Sequence, residues 1–173
     1  ILRAEVQAAP VRNPLEVAYF GAASFLFGPD RAMKFSAQPC KAVEQMAFSD
    51  DEKKTLSKDY LAETLARTMH GSESICYEFK IQTRAKAELD ESAIAEGFEN
   101  VASMWPNELA NYRTVASIEI PAPQQTDTAE AREHCEKLAF TPWHSLVDHR
   151  PIGGINRLRQ SVYSNSAKAR DAD

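Results

Sequence analysis

The stretch that decides the fold is Ile155-Asn-Arg-Leu-Arg159-Gln-Ser-Val-Tyr163-Ser-Asn-Ser-Ala-Lys-Ala-Arg170. It holds no Pro or Gly, and its composition predicts a helix over residues 155–170. Arg159, Tyr163 and Arg170 follow one another in steps of four and seven. At about 100° per residue those steps rotate by roughly 400° and 700°, so all three fall within about 60° of one face. Phenols titrate near a pKa of about 10, so a tyrosine serves as an anionic ligand only where something stabilises the phenolate. A guanidinium one turn earlier and a ferric ion at the oxygen would together do that, and tyrosine is a known proximal ligand of haem iron. An arginine two turns further on has the reach to meet a propionate carboxylate. The same spacing also describes a basic amphipathic helix whose tyrosine packs on a core. R-x-x-x-Y by itself does not separate the two.

Working back from that helix, His149-Arg-Pro-Ile-Gly-Gly154 reads as a turn-rich approach. Asp127-Thr-Ala-Glu130 has N-cap spacing and opens a short helix through Leu138, which Phe140-Thr-Pro142 breaks. Tyr112–Ile120 and Ile75–Ile81 alternate as half-buried strands do, with Pro121 and Pro123 closing the first of them. Residues 49–70 switch to a helical period: Ser49-Asp-Asp-Glu52 matches a capping box, Leu56, Tyr60, Leu61 and Leu65 recur behind it, and Gly71 is the stop. Ser24–Phe27 and Ala32–Ser36 flank Gly28-Pro-Asp30 and predict a hairpin that Pro39 ends, with Glu16–Phe20 as a further β-capable run. Residues 84–104 are acidic and irregular, a surface excursion. Residues 1–15, with Pro10 and Pro14, read as a connecting arm. The order ββ, α, β, β, α, α predicts one α+β domain over residues 1–173, built on antiparallel strands. These strands are too few to close a barrel alone, and an open sheet edge calls for a partner.

Hydrophobic residues make up 43% of the 173 and charged residues 26%, a globular balance. The net charge of −5, with both signs mixed along the chain, leaves no basic field for nucleic acid. No apolar run approaches the ~20 residues of a membrane helix. Arg3 and Glu5 directly after Ile1 do not resemble a signal peptide, and the missing initiator Met fits a processed, cleaved or partial chain. Cys40, Cys76 and Cys135 lie far apart with no C-x-x-C pair. They are expected to be reduced thiols packed as small hydrophobes, which points to a cytoplasmic protein.

Several blocks, taken in order, carry a more specific signal. Trp105-Pro-Asn-Glu108-Leu109 has the form W-P-x-E-L, a strand runs from Val115 to Pro121, Glu136-Lys-Leu-Ala-Phe-Thr-Pro142 ends in A-F-x-P, and R-x-x-x-Y with an Arg seven residues later follows. In this order they resemble the second half of the catalase superfamily core, over roughly residues 13–170. Trp143-His144 and the run His149–Tyr163 look most like the compact catalase-related haem proteins, a branch of small peroxidase-like catalases and allene oxide synthase-type enzymes. The resemblance implies antiparallel strands forming part of a catalase-like β-barrel, flanking helices and a C-terminal haem-ligand helix. It implies haem b as cofactor, with Tyr163 as proximal iron ligand, Arg159 as partner of the phenolate and Arg170 as partner of a propionate.

The implied function is that of a haem-binding oxidoreductase, subunit or fragment, acting on hydrogen peroxide or an organic hydroperoxide. Fatty-acid hydroperoxide conversion and a non-catalytic haem-binding interaction subunit are the alternatives. Two departures stand out: Tyr163-Ser-Asn-Ser166 replaces the family's Y-P-D-T, and Ala167 stands where a His is common. The distal His and Asn belong to the family's first half, which no segment here matches. An N-terminal catalase-like segment or partner chain would supply them, in a homo- or hetero-oligomer. The chain's own histidines read otherwise: His70 at a helix end, His134 beside Glu133 and Cys135, and His144 and His149 five apart without further metal ligands. Trp105 and Trp143 read as core or pocket wall.

Overall fold

The computed structural model describes residues 11–41, 48–85, 98–102, 105 and 111–172. Most of the connecting arm, most of the acidic excursion and the W-P-x-E-L block beyond Trp105 therefore lie outside the described residues.

Five strands form one antiparallel sheet: β1 (Tyr19–Phe20), β2 (Phe25–Leu26), β3 (Arg31–Pro39), β4 (Ile75–Ala85) and β5 (Arg113–Ile120). β3 is the hub. It pairs with β4 from Arg31↔Ala85 to Pro39↔Tyr77, while β1 and β2 share its other edge through Tyr19↔Ala37 and Phe25↔Met33. The expected hairpin is therefore present as β2–β3, turned by Gly28 at φ 76°. β4 pairs with β5 from Ile75↔Ile120 to Ile81↔Arg113, with an irregularity at Phe79/Lys80. The sheet stays open, and β5 is its last strand among the described residues.

Directly opposed residues share a face, so the register sorts the side chains. On one face Phe25, Met33, Phe35 and Phe79 gather, with Phe35 ring centroids 5.4 Å from Phe25 and 5.7 Å from Phe79. The other face carries Ala32, Lys34, Gln82 and Arg84 against Trp105. There Gln82 Nε2 donates to the Trp105 carbonyl at 2.8 Å, and Ala32, Phe98 and Trp105 form a small buried cluster under Ile152. The Lys34 ammonium sits 4.8 Å from the Trp105 ring centre, and burial, then the charge of Arg84, push its pKa down.

Among the described residues the α-helices are α1 (Asp50–Thr55), α2 (Tyr60–Met69), α3 (Ala129–Lys137) and α4 (Gly154–Ala169). The capping box is complete: Ser49 Oγ accepts from Glu52 N at 3.2 Å, and Ser49 N donates to Glu52 Oε2 at 2.7 Å. The single helix expected over 49–70 is two helices instead. Leu56 turns extended at ψ 129°, and Ser57 accepts the Asp59 amide on Oγ at 3.2 Å and the Tyr60 amide on its carbonyl at 3.3 Å. That local serine turn competes with the helix and starts a new one. Thr128, not Asp127, caps α3, through Ala131 N at 3.1 Å.

The cysteines depart from expectation. Cys40 and Cys76 form a disulfide with Cα atoms 5.4 Å apart, while Cys135 is free and exposed. The register extends one step beyond Pro39↔Tyr77 to place Cys40 opposite Cys76, and Cys40 N donates to the Cys76 carbonyl at 3.0 Å. Sequence spacing hides a pair that strand register brings together, and reduced thiols no longer argue for a cytoplasm-like compartment. Among the described residues no helix is long and apolar enough to cross a membrane.

Candidate functional site

α4 starts where it does because Gly153, its N-cap, takes φ 88°, and a Cβ there would stand 2.6 Å from the Glu99 carbonyl oxygen. Only glycine fits both the left-handed backbone and that approach. The segment before it is stitched to β2: Leu26 N donates to the Arg150 carbonyl at 2.9 Å, Gly28 N to Asp148 at 3.0 Å, and Ile152 N to Ser24 at 3.1 Å. The helix entry is thereby fixed to the sheet edge.

The covered side of α4 is unusual. Asn156, Arg159, Tyr163 and Ala167 are its buried or half-buried positions, while Ile155, Leu158 and Val162 are 43%, 61% and 53% exposed. An ordinary surface helix turns its apolar stripe inward. Here a polar set occupies the inner side. Arg159 Nη2 donates to Tyr163 Oη at 3.0 Å, and Arg159 Nη1 donates to Asn156 Oδ1 at 3.2 Å. The guanidinium carbon lies 5.1 Å from the Tyr163 ring centre, so it also covers the ring.

Tyr163 and Arg159 form part of the wall of a cleft of about 690 Å³ over the aromatic sheet face. Phe20, Phe25, Met33, Phe35 and Phe79 supply its floor, and Phe140, Thr141 and Pro142 its rim. Gly21 belongs to the floor because a Cβ there would press on the Phe35 ring at 3.1 Å. The cleft joins wide apolar walls to a phenol oxygen, a guanidinium and the side chains of Thr141, His144, Ser145 and His149, the mixture of apolar surface and a few polar groups that small-molecule sites use.

Arg159 and Tyr163 are thus brought together, and Arg170 is not brought to that cleft. Arg170 sits at the C-cap of α4, where Nη1 donates to the Glu136 carbonyl at 2.7 Å and Nη2 to that of Leu138 at 3.3 Å. With Tyr163, Val162, Phe140 and Ser166 it lines a smaller hollow of about 220 Å³. His144 and His149 line the larger cleft, and the His149 ring stacks on Phe27 at 5.6 Å and 7°. His70 Nε2 stands 3.2 Å from Asp127 Oδ1, and His134 lies in the last turn of α3. Trp105 is in the buried cluster, and Trp143 donates from Nε1 to the Asn156 carbonyl at 3.0 Å. Among the described residues no group of three or more His, Cys, Asp or Glu could hold a metal ion. Asn156 is the site residue that sequence reading missed, although its place three residues before Arg159 puts it on the same helix face.

No family model and no curated protein matches the chain. Solved structures do. A fungal catalase superposes with a TM-score of 0.70 at 14% identity, over 92% of this chain and 32% of that one. Catalase A from Saccharomyces cerevisiae gives 0.75 at 13%, over 94% and 33%, and a bacterial catalase gives 0.68 at 13%, over 94% and 32%. The chain has a catalase-like fold and spans about a third of the length of these catalases.

Proposed function

We propose that this chain is the proximal, haem-anchoring part of a catalase-like oxidoreductase, in which Tyr163 would hold the haem iron. The observation that carries the reading is the Arg159–Tyr163 hydrogen bond at 3.0 Å on the wall of an aromatic cleft, in a catalase-like fold. The residues present fit haem b. Tyr163 would hold the iron through its oxygen, as tyrosine does among proximal ligands. Arg159 would donate a charge-assisted hydrogen bond to that oxygen, an interaction worth about 1.5–3 kcal/mol. Phe25, Phe35 and Phe79 would exclude water from the macrocycle. Bound there, haem supplies the redox chemistry with hydrogen peroxide or an organic hydroperoxide. A segment outside this chain would contribute the distal groups that move the substrate proton.

The test is an absorption titration with ferric haem. The chain should take up haem with a tyrosinate-ligated ferric spectrum. Tyr163→Phe, which keeps the ring and removes the oxygen, should lose that spectrum while the protein stays folded. An unchanged spectrum in Tyr163→Phe would overturn the ligand assignment. Haem uptake without peroxide turnover in the complete assembly would favour a haem-binding subunit over an enzyme.

A further inference from the structure

We infer that Asn156 is a positioning residue that holds Arg159 against Tyr163 and ties this pair to the edge of the sheet. Asn156 is wholly buried, at 0% exposure, on a helix most of whose other residues face solvent. Its carboxamide makes three hydrogen bonds, in three directions. Nδ2 donates to the Ser24 carbonyl at 2.9 Å and to the Ile152 carbonyl at 2.9 Å, and Oδ1 accepts from Arg159 Nη1 at 3.2 Å. Its main-chain carbonyl also receives Trp143 Nε1 at 3.0 Å.

The amide's two ends do different work. Its donor end reaches Ser24, which sits immediately before β2, and Ile152, the turn before α4. Its acceptor end meets one arm of the guanidinium whose other arm meets the phenol. A planar guanidinium gripped at two nitrogens cannot swing about its long stem, so its hydrogen bond to Tyr163 is aimed before any ligand arrives. Aspartate would keep the acceptor and lose the donors. Leucine or alanine would lose both. Asparagine is the side chain of this size that serves a cation on one side and two carbonyls on the other.

The proposal rests on the haem reading for its purpose but not for its geometry, and the two can be tested apart. In the haem-free full chain, nitrogen–proton NMR of the Arg159 guanidinium should show hindered rotation in the wild type and rotational averaging in Asn156→Ala. Asn156→Asp should restore the hindrance, because Oδ survives, even if the protein melts at a lower temperature for want of the two donors. A ferric haem titration then reads the consequence. Asn156→Ala should weaken haem binding by roughly 10–100-fold, as removal of a partner behind a metal ligand commonly does. Asn156→Asp should recover most of that affinity. On an Arg159→Ala background Asn156→Ala should add little.

An Arg159 guanidinium as hindered in Asn156→Ala as in the wild type overturns the proposal, whatever the haem result. Equal losses of haem affinity for Asn156→Ala on both backgrounds would also overturn it, since that is the behaviour of a residue that only supports the fold. If Tyr163→Phe keeps the wild-type haem spectrum, the haem reading fails, and the guanidinium rotation still decides the role of Asn156.

Discussion

Arg159 shows how little of a residue's task is set by its charge alone. Its guanidinium spans Asn156 and Tyr163, so a substitution removes both a positive charge and a geometric brace. Arg159→Gln keeps a polar end but loses the charge, and it should weaken ferric haem binding by about 1.5–3 kcal/mol in an equilibrium titration. Arg159→Lys should recover only part of this, because an ammonium cannot bridge both partners in one plane. Far from the cleft, Glu52 has its pKa lowered from 4.5 to about 2, first by hydrogen bonds from Arg12 and then by the Ser49 amide. A carboxylate with a depressed folded-state pKa contributes stability that is present above pH 4.5 and is lost as pH falls toward 2. Glu52→Gln should therefore melt below the wild type at neutral pH, and the gap should close across that window. A gap that persists unchanged below pH 2 would show that the effect is not carried by the charge.

At the scale of elements, α4 is placed by its N-terminus and by what its inner face holds. Gly153→Ala forces a side chain into φ 88° and against the Glu99 carbonyl. It should cost about 1–3 kcal/mol of stability by denaturant melting and should also weaken haem uptake, because the whole helix must shift. The disulfide acts on the other end of the sheet. Cys40 and Cys76 close a 36-residue separation between β3 and β4 that contains α1 and α2. Reduction, or Cys40→Ser with Cys76→Ser, should cost about 2–4 kcal/mol, mostly by freeing the unfolded chain. An equal melting temperature with and without reductant would mean that the sheet register already confines the two ends.

For the whole molecule, the open sheet is the feature with the widest consequence. β5 is exposed along nearly its full length, with Val115 at 54% and Ile118 at 41%, and the apolar stripe of α4 is also uncovered. An edge and a stripe of this kind are surfaces on which a further strand or an apolar partner can dock. The expectation is that a catalase-like segment or partner chain covers them. In the isolated chain the outward amides of β5 should exchange with deuterium much faster than those of β3, which is paired on both sides. Protection of β5 equal to that of β3, in a chain shown to be monomeric, would count against a missing neighbour.

Apart from the extension of β4 to Ala85 and the break between α1 and α2, the sequence by itself determined the β2–β3 hairpin, β4 over Ile75–Ile81, the start of α1 and the helix carrying Arg159 and Tyr163. Each is written in local chemistry: a Gly-Pro-Asp turn, alternation, a capping box and a helical run without breakers. It also set Arg159 and Tyr163 one turn apart, so their hydrogen bond needed only a helix to form. The tertiary structure alone decided the rest. Strand register put Cys40 opposite Cys76, 36 residues apart in the chain, and no spacing rule carries that information. The docking of α4 on the edge of β2 buried Asn156 beside Ser24, a contact across 132 residues, and turned Arg170 toward the end of α3 instead of the cleft. Local patterns specify which face a residue occupies, whereas which neighbour meets that face depends on distant segments packing together.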